Sequence, residues 1–342
     1  MDQEPAEVLL PLSERAAWTR ALEGVPHGFA HTWESCAAMR LTTGHASYLY
    51  VLDDGARVVC PVAERGDHGL VDIYTPYGFS GFAGTAAAPG TASRWKSFAA
   101  ERGYVCGYIG LHPLLFDHSY ADADDYAAVN SLFVLDLTLP TETLFQRLSD
   151  NRRRAVRPRG WTLLDDQGQV AAFFKETYPV FMRSRNAGAV YDLSPDTIDA
   201  LSAAGNVFFL GAGTADQVQA ACMFGHTPFA GEYLFGVSRP GSERFAAALL
   251  WHGALRLKAM GVPEFNLGGG VRPGDGVAQF KSRFGARELE FGVLKQVYRP
   301  GPFVELCRAG GHDPQDRTGY FPPYRTPRHD PARGPAAHST AG

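Results

Sequence analysis

The sequence is short of several features that would each point to a function. Cysteine occurs five times in 342 residues, at Cys36, Cys60, Cys106, Cys222 and Cys307, with no C-x-x-C pair. Scattered, odd-numbered thiols argue against a disulfide scaffold and against a paired-cysteine zinc site, and they suit a reducing compartment. H-E-x-x-H is absent as well, and His112, His118, His226 and His252 stand isolated, so no metal site is expected. "GFSGF" (78–82) departs from G-x-S-x-G, which removes the nucleophile elbow of a serine hydrolase. No window approaches 18 uncharged apolar residues, so no spanning helix is expected. The acidic start "MDQEPAEVLLPLSERAAW" lacks the basic and long apolar regions of a signal peptide, and the expected location is the cytoplasm.

Lysine is the other scarcity. Of 32 Lys+Arg, only Lys96, Lys175, Lys258, Lys281 and Lys295 are lysines. Lysine is a compact point charge on a flexible stem where arginine is a planar fork, so each of the five is worth locating. A formal net charge of −4 argues against a chain coated with nucleic acid, and no DNA partner is expected, although one local basic patch is compatible with it. What is present is the composition of a globular protein, 45% hydrophobic and 12% aromatic, with length enough for two cores.

The segments 47–52, 57–63, 70–77 and 104–111 read as strands, with a helix over "TASRWKSFAAERG" between the last two, started at Thr91 or Ser93 and stopped at Gly103. The order recurs in 206–213, 217–226 and 231–239. A patterned helix follows from Ser242 to Gly261, and then a strand "VPEFNLGGG". The second copy of this α/β unit predicts a duplicated module. Between the copies, 140–160 reads as one helix capped at Thr141 and rich in arginine; "GWTLLDD", a helix over "QVAAFFKETYPVFMRSRNAG" and a last strand-like run at 288–300 complete the reading. Residues 1–138 and 139–300 are the expected modules, with 301–325 a candidate return to the first. Residues 326–342, poor in apolar side chains, are expected as a mobile tail.

"FNLGGGVRPGDGVAQFKSRFG" (265–285) invites a phosphate-loop reading that its spacing refuses: Phe280 precedes Lys281 where a P-loop needs Gly, and Pro273 stands where a dinucleotide fingerprint needs its third Gly. The glycines instead permit close backbone approach and positive φ. Lys281 is either a preorganised cation for a developing oxyanion or a surface residue of a short helix. Asn266 is a candidate for a substrate hydrogen bond or a local turn, and Asp275 for a polar contact or a helix cap.

Three antiparallel strands, a crossover helix and a parallel strand resemble the N-acetyltransferase (GNAT) fold. The turn "VSRPGSERF", where coenzyme A-dependent members hold pyrophosphate on a helix N-terminus, has the wrong spacing and places Glu243 against the anion. A duplicated module without that loop resembles the Fem family of non-ribosomal aminoacyltransferases. The likeness is carried by "YTPYGFSGF" (74–82), "YIGLHPLL" (108–115), "YPVFMRSRNAGAVYDLS" (178–194) and, most specifically, by L-G-G-G followed by F-K-x-x-F-G. It implies an α/β protein of two tandem GNAT-like modules with mixed sheets and no coiled-coil arm.

The resemblance further implies an aminoacyltransferase that takes aminoacyl-tRNA as donor, uses no cofactor, and forms an amide on an amine of a peptidoglycan precursor or small-molecule metabolite. By position in the family pattern, Lys281 is implied as the catalytic cation beside Phe280, Asn266, Gly268, Gly269, Gly270 and Asp275. Arg183, Arg185 and Tyr191 would face the acceptor, and Tyr77 and Ser80 would line its groove. Arg152, Arg153, Arg154 and Arg157, with Arg159, are the candidates for RNA contact. The alternatives are an N-acyltransferase fed by acetyl-CoA, another acyl-CoA or a carrier-protein thioester, and a non-catalytic binding protein on the same scaffold.

Overall fold

A computed structural model describes residues 6–67, 69–157, 160–214 and 216–326. The tail expected over 326–342 lies, from residue 327 on, outside the described residues, as does Arg159. The strands, in chain order, are β1 (Ala6–Pro11), β2 (Ser47–Asp54), β3 (Ala56–Asp67), β4 (Leu70–Tyr74), β5 (Ala83–Gly84), β6 (Tyr104–Gly110), β7 (Tyr126–Asp136), β8 (Thr162–Leu164), β9 (Val207–Thr214), β10 (Gln217–His226), β11 (Gly231–Ser238), β12 (Glu264–Gly269) and β13 (Arg287–Val297).

The chain divides into two compact units. Unit 1 takes Met1–Val129 and Glu290–Ala341, and unit 2 takes the uninterrupted segment Asn130–Leu289. In unit 1, β1, β2, β3 and β4 pair antiparallel in sequence, β4 pairs β6 in parallel, and β6 pairs β13 antiparallel. Unit 2 repeats the plan: β8, β9, β10 and β11 antiparallel, β11 with β12 parallel, and β12 with β7 antiparallel. In each, the parallel step is bridged by one helix, Thr91–Glu101 in unit 1 and Ala246–Ala259 in unit 2, as a parallel connection requires. The sixth strands are exchanged: β7 follows β6 in the chain yet pairs with β12, and β13 follows β12 yet pairs with β6.

Local chemistry explains most boundaries. Gly55, at φ +74°, turns β2 back onto β3 so that Asp54 faces Ala56. The helix Thr91–Glu101 begins after the left-handed Gly90 and is stopped by Gly103, also at positive φ. The arginine-rich stretch is two helices, Thr141–Arg147 and Asp150–Ala155, rather than the single one expected. Leu148 adopts an extended conformation to bury its side chain, and the Ser149 N–H donates to Arg283 O at 3.0 Å, so tertiary contacts break the helix there. Ser242 caps nothing with its side chain, because a 3-10 turn, Glu243–Phe245, precedes the α-helix.

Each unit has its own core. Tyr50, Phe82, Trp95, Leu294 and Tyr298 pack in unit 1, where the Trp95 indole donates to Gln296 Oε1 at 2.9 Å. In unit 2, Phe208, Phe224, Leu249, Leu257, Phe265, Leu267 and Phe284 fill the space between sheet and helix. No helix among the described residues is long and apolar enough to cross a membrane.

Candidate active site

Unit 2 opens where β11 and β12 part. These parallel neighbours are in register only at Gly231↔Phe265 and Glu232↔Asn266, after which β11 continues to Ser238 and β12 to Gly269 as separate arms. The glycine turn sits at the end of the β12 arm. Its three residues are each tied down: Gly268 N–H donates to Asn266 Oδ1 at 2.8 Å, Gly269 O accepts from Lys281 Nζ at 2.7 Å, and Gly270 O accepts from Asn130 Nδ2 at 2.9 Å.

Asp275 brings the lysine back to this turn. Its Oδ2 accepts from the N–H groups of Val271 and Arg272 (2.8 and 3.0 Å), and its Oδ1 from those of Val277 and Ala278 (2.9 and 2.8 Å). One carboxylate thereby fixes the loop and caps the helix Gly276–Ser282. Burial pushes its pKa up, but the four backbone donors together outweigh that and hold it below the usual value.

Lys281, on the last turn of that helix, is 8% exposed. Its Nζ lies 5.7 Å from the centre of the Tyr233 ring, on the β11 arm, so the ammonium occupies the mouth of the parted strands. Burial pulls its pKa from the ordinary 10.5 down to about 7, against a smaller upward pull from Asp275. Among the described residues no carboxylate stands within ion-pair distance of Nζ. A buried ammonium with one neutral acceptor is stabilised by any negative charge that forms beside it.

The three glycines differ in what excludes a side chain. A Cβ on Gly269 would meet Ser131 O at 2.5 Å, and one on Gly270 would meet Asp275 Oδ1 at 2.4 Å, so both are demanded by packing. At Gly268, with φ +75°, the only atom of the described residues beyond its chain neighbours within 4 Å of a Cβ would be Lys281 Nζ, at 3.0 Å.

The other expected residues distribute as follows. Phe280 is half-buried, its ring 4.0 Å from the Arg152 guanidinium and 5.6 Å from the Phe284 ring centre. Arg152 thus braces the helix of Lys281, and burial, then Arg283, lowers its pKa. Arg153 pairs with Asp150 and donates to Gln146 O, whereas Arg154 and Arg157 are exposed, Arg154 donating to Asn151 Oδ1 and Arg157 lying over Phe145. Arg183 and Arg185 are exposed at the end of the helix Gln167–Ser184, and Arg185 pairs with Glu243 at 3.3 Å. Tyr191 O accepts from Tyr178 Oη at 2.8 Å, and Tyr178 packs edge-on against Phe235 of β11. Tyr77, half-buried, and Ser80, fully buried, belong to unit 1. Sequence reasoning missed Tyr233, Tyr178 and Asn130. Tyr233 and Asn130 sit inside ordinary strand patterns and carry no spacing signal; Tyr178 opens the 178–194 motif, where position alone could have marked it.

No group of three or more His, Cys, Asp or Glu among the described residues could hold a metal ion. No family model matches the sequence, and no curated protein does. Solved structures do match the fold. A crystal structure of FemX superposes with a TM-score of 0.66 at 11% identity, covering 89% of this chain and 99% of that one. L-PGS from Bacillus licheniformis gives 0.54 at 11% identity, covering 85% and 94%. The C-terminal domain of a protein assigned as a lysylphosphatidylglycerol synthetase in Agrobacterium fabrum gives 0.50 at 14% identity, covering 75% and 86%. The fold of this chain, two GNAT-like modules in tandem, is the fold of FemX over nearly the whole length of both.

Proposed function

We propose that this protein is an acyl-group transferase of the Fem type that moves an amino acid from a charged tRNA to a free amine of a cell-wall precursor or specialised metabolite. The observation that carries the reading is Lys281: a buried ammonium without a carboxylate partner among the described residues, held by Gly269 O at 2.7 Å in the mouth of two parted strands. The amine nitrogen attacks the ester carbonyl carbon, and the carbonyl electron pair moves to oxygen, where Lys281 offsets its charge. Collapse re-forms the carbonyl and breaks the ester C–O bond; the ribose oxygen leaves with the electron pair and takes the proton that the amine gives up. One preorganised donor of this kind is worth about 3–4 kcal/mol of barrier.

A nucleotide thioester donor is disfavoured at the turn after β11. Glu243 stands exposed at the start of the following helix, engaged with Arg185, and opposes a pyrophosphate there. Arg154 and Arg157, exposed and without carboxylate partners among the described residues, suit RNA phosphates near the helix of Lys281, which Arg152 of the same short segment braces.

The test is thermal stability with an aminoacyl-tRNA pool, with deacylated tRNA and with acetyl-CoA, followed by transfer of radiolabelled amino acids to candidate amines. A ligand at about a hundred times its Kd should stabilise by roughly 2.7 kcal/mol. A larger shift with charged than with deacylated tRNA, and an amide product lost in Lys281→Ala, are expected. A shift with acetyl-CoA alone would overturn the reading in favour of a thioester-fed N-acyltransferase; a bound acceptor with no transfer from any donor would favour a binding protein.

A further inference from the structure

The geometry points to a two-donor site for the acyl carbonyl oxygen, in which the Asn266 carboxamide joins the Lys281 ammonium beside Gly268, whose missing side chain leaves the ammonium uncovered on that side. The inference rests on the acyl-transfer reading above and assigns Asn266 a catalytic role within it.

Three observations converge. Asn266 is 1% exposed, and among the described residues its Nδ2 has no hydrogen-bond partner. A buried amide with two unspent N–H groups is a costly arrangement that a ligand oxygen would relieve. Its orientation is fixed, because Oδ1 accepts from Gly268 N–H at 2.8 Å and a flipped amide would set donor against donor. Second, Lys281 Nζ spends one of its donors on Gly269 O and keeps the others. Third, both groups meet at Gly268: Asn266 takes its N–H, and its Cβ position meets Lys281 Nζ at 3.0 Å and, among the described residues, nothing else beyond its chain neighbours within 4 Å. Gly269 and Gly270 are filled around by protein, whereas what a side chain on Gly268 would meet is the cation itself.

In the transfer step the carbonyl oxygen gains the electron pair of its C=O bond as the amine nitrogen bonds to carbon, and returns it when the ester C–O bond breaks. Hydrogen bonds from Nδ2 and Nζ strengthen as the charge develops, so they act on turnover rather than on binding. The ligand class is therefore an ester or other activated acyl group whose oxygen enters beside Gly268.

Asn266→Asp keeps the acceptor for Gly268 N–H, removes both donors and places a carboxylate in the site. In protein labelled with 13C-lysine, the five Cε resonances can be followed through a pH titration. The Lys281 midpoint should rise by a unit or more in the variant while the other four stay in place. Turnover with the aminoacyl-tRNA pool should fall about 10²-fold, with KM changed less than threefold and Tm held. Asn266→Leu and Lys281→Met should combine to less than the product of their separate losses, since both remove support from one oxygen. A merely structural Asn266 predicts the opposite: Asp rescues it, turnover survives, and only Leu lowers Tm. An unmoved Lys281 midpoint, or full turnover in Asn266→Asp, overturns the two-donor site. If the midpoint moves but the wild type transfers no amino acid from any charged tRNA, the site stands and the tRNA reading falls.

Discussion

Lys281→Met should slow transfer by about 10²–10³-fold and, at low pH, make the protein more stable, by an amount that depends on pH in a calculable way. In the unfolded chain the amine keeps its proton up to about 10.5, whereas in the folded protein burial releases it near pH 7. Between those values the unfolded state binds more protons, so folding is favoured more strongly as pH rises, by about 1.4 kcal/mol per unit for one group. Below pH 7 both states hold the proton, and the cost of the buried charge is present in full. Methionine carries no charge and fills similar volume, at the loss of the hydrogen bond to Gly269 O, worth about 1–3 kcal/mol. The stability of Lys281→Met relative to wild type should therefore shrink by about 2 kcal/mol between pH 7 and 8.5 and stay level between pH 5.5 and 6.5. For a unit of this size that is roughly 4–8 °C in the difference of the two Tm values. The buried cysteines, whose thiols burial also raises, lower stability at alkaline pH in both proteins and cancel in the difference. Denaturation of the two proteins across that range is the assay. Parallel curves would mean that Nζ keeps its proton in the folded state, and the argument that this cation lacks a compensating partner would be refuted.

Other outcomes follow from the same geometry. Asp275→Ala strips acceptors from four backbone N–H groups and should cost about 2–3 kcal/mol in urea unfolding while lowering transfer, because the helix that carries Lys281 loses its cap; a loss under 0.5 kcal/mol would contradict it. Gly269→Ala drives a methyl against Ser131 O and should destabilise by about 1–3 kcal/mol, read as Tm. Gly268→Ala puts its methyl beside Nζ and should abolish turnover; unchanged turnover would show that no substrate atom enters there. Arg154→Gln with Arg157→Gln should leave Tm unchanged and reduce the salt dependence of tRNA binding by about two phosphate contacts, and an unaltered slope would remove them from the RNA surface.

The parts of this structure that the sequence discloses are those set by short-range chemistry. Strand alternation, Gly stops and the repeated strand–helix–strand order are local, and they suffice for the duplicated module. The motif from Phe265 to Gly285 is local too: a strand end, a glycine turn, an aspartate that caps, and a lysine within reach of the turn. The rest depends on distant partners. Exchange of β7 and β13 depends on partners distant in the chain, β12 for the one and β6 for the other, which no local pattern names. Leu148 breaks a helix that its neighbours would have continued, since Arg283, far along the chain, takes the next N–H. Arg152 reads as one more surface cation until Phe280 is brought beneath it, and Tyr233 reads as an ordinary strand residue until the ladder to β12 ends at Glu232. Side chains whose role comes from burial and cross-chain neighbours leave no periodicity behind.

The exchanged strands also set an order of assembly during synthesis. Residues up to 129 leave the ribosome before unit 2, yet their sheet lacks β13, and their core lacks Leu294 and Tyr298, until the chain has been made through unit 2 to residue 298. Unit 2 is one continuous segment inside that interval and holds all six of its strands once Leu289 is out. The unit that begins first is thus completed last, and a chain ending at Leu289 would carry a finished second unit and an unfinished first one.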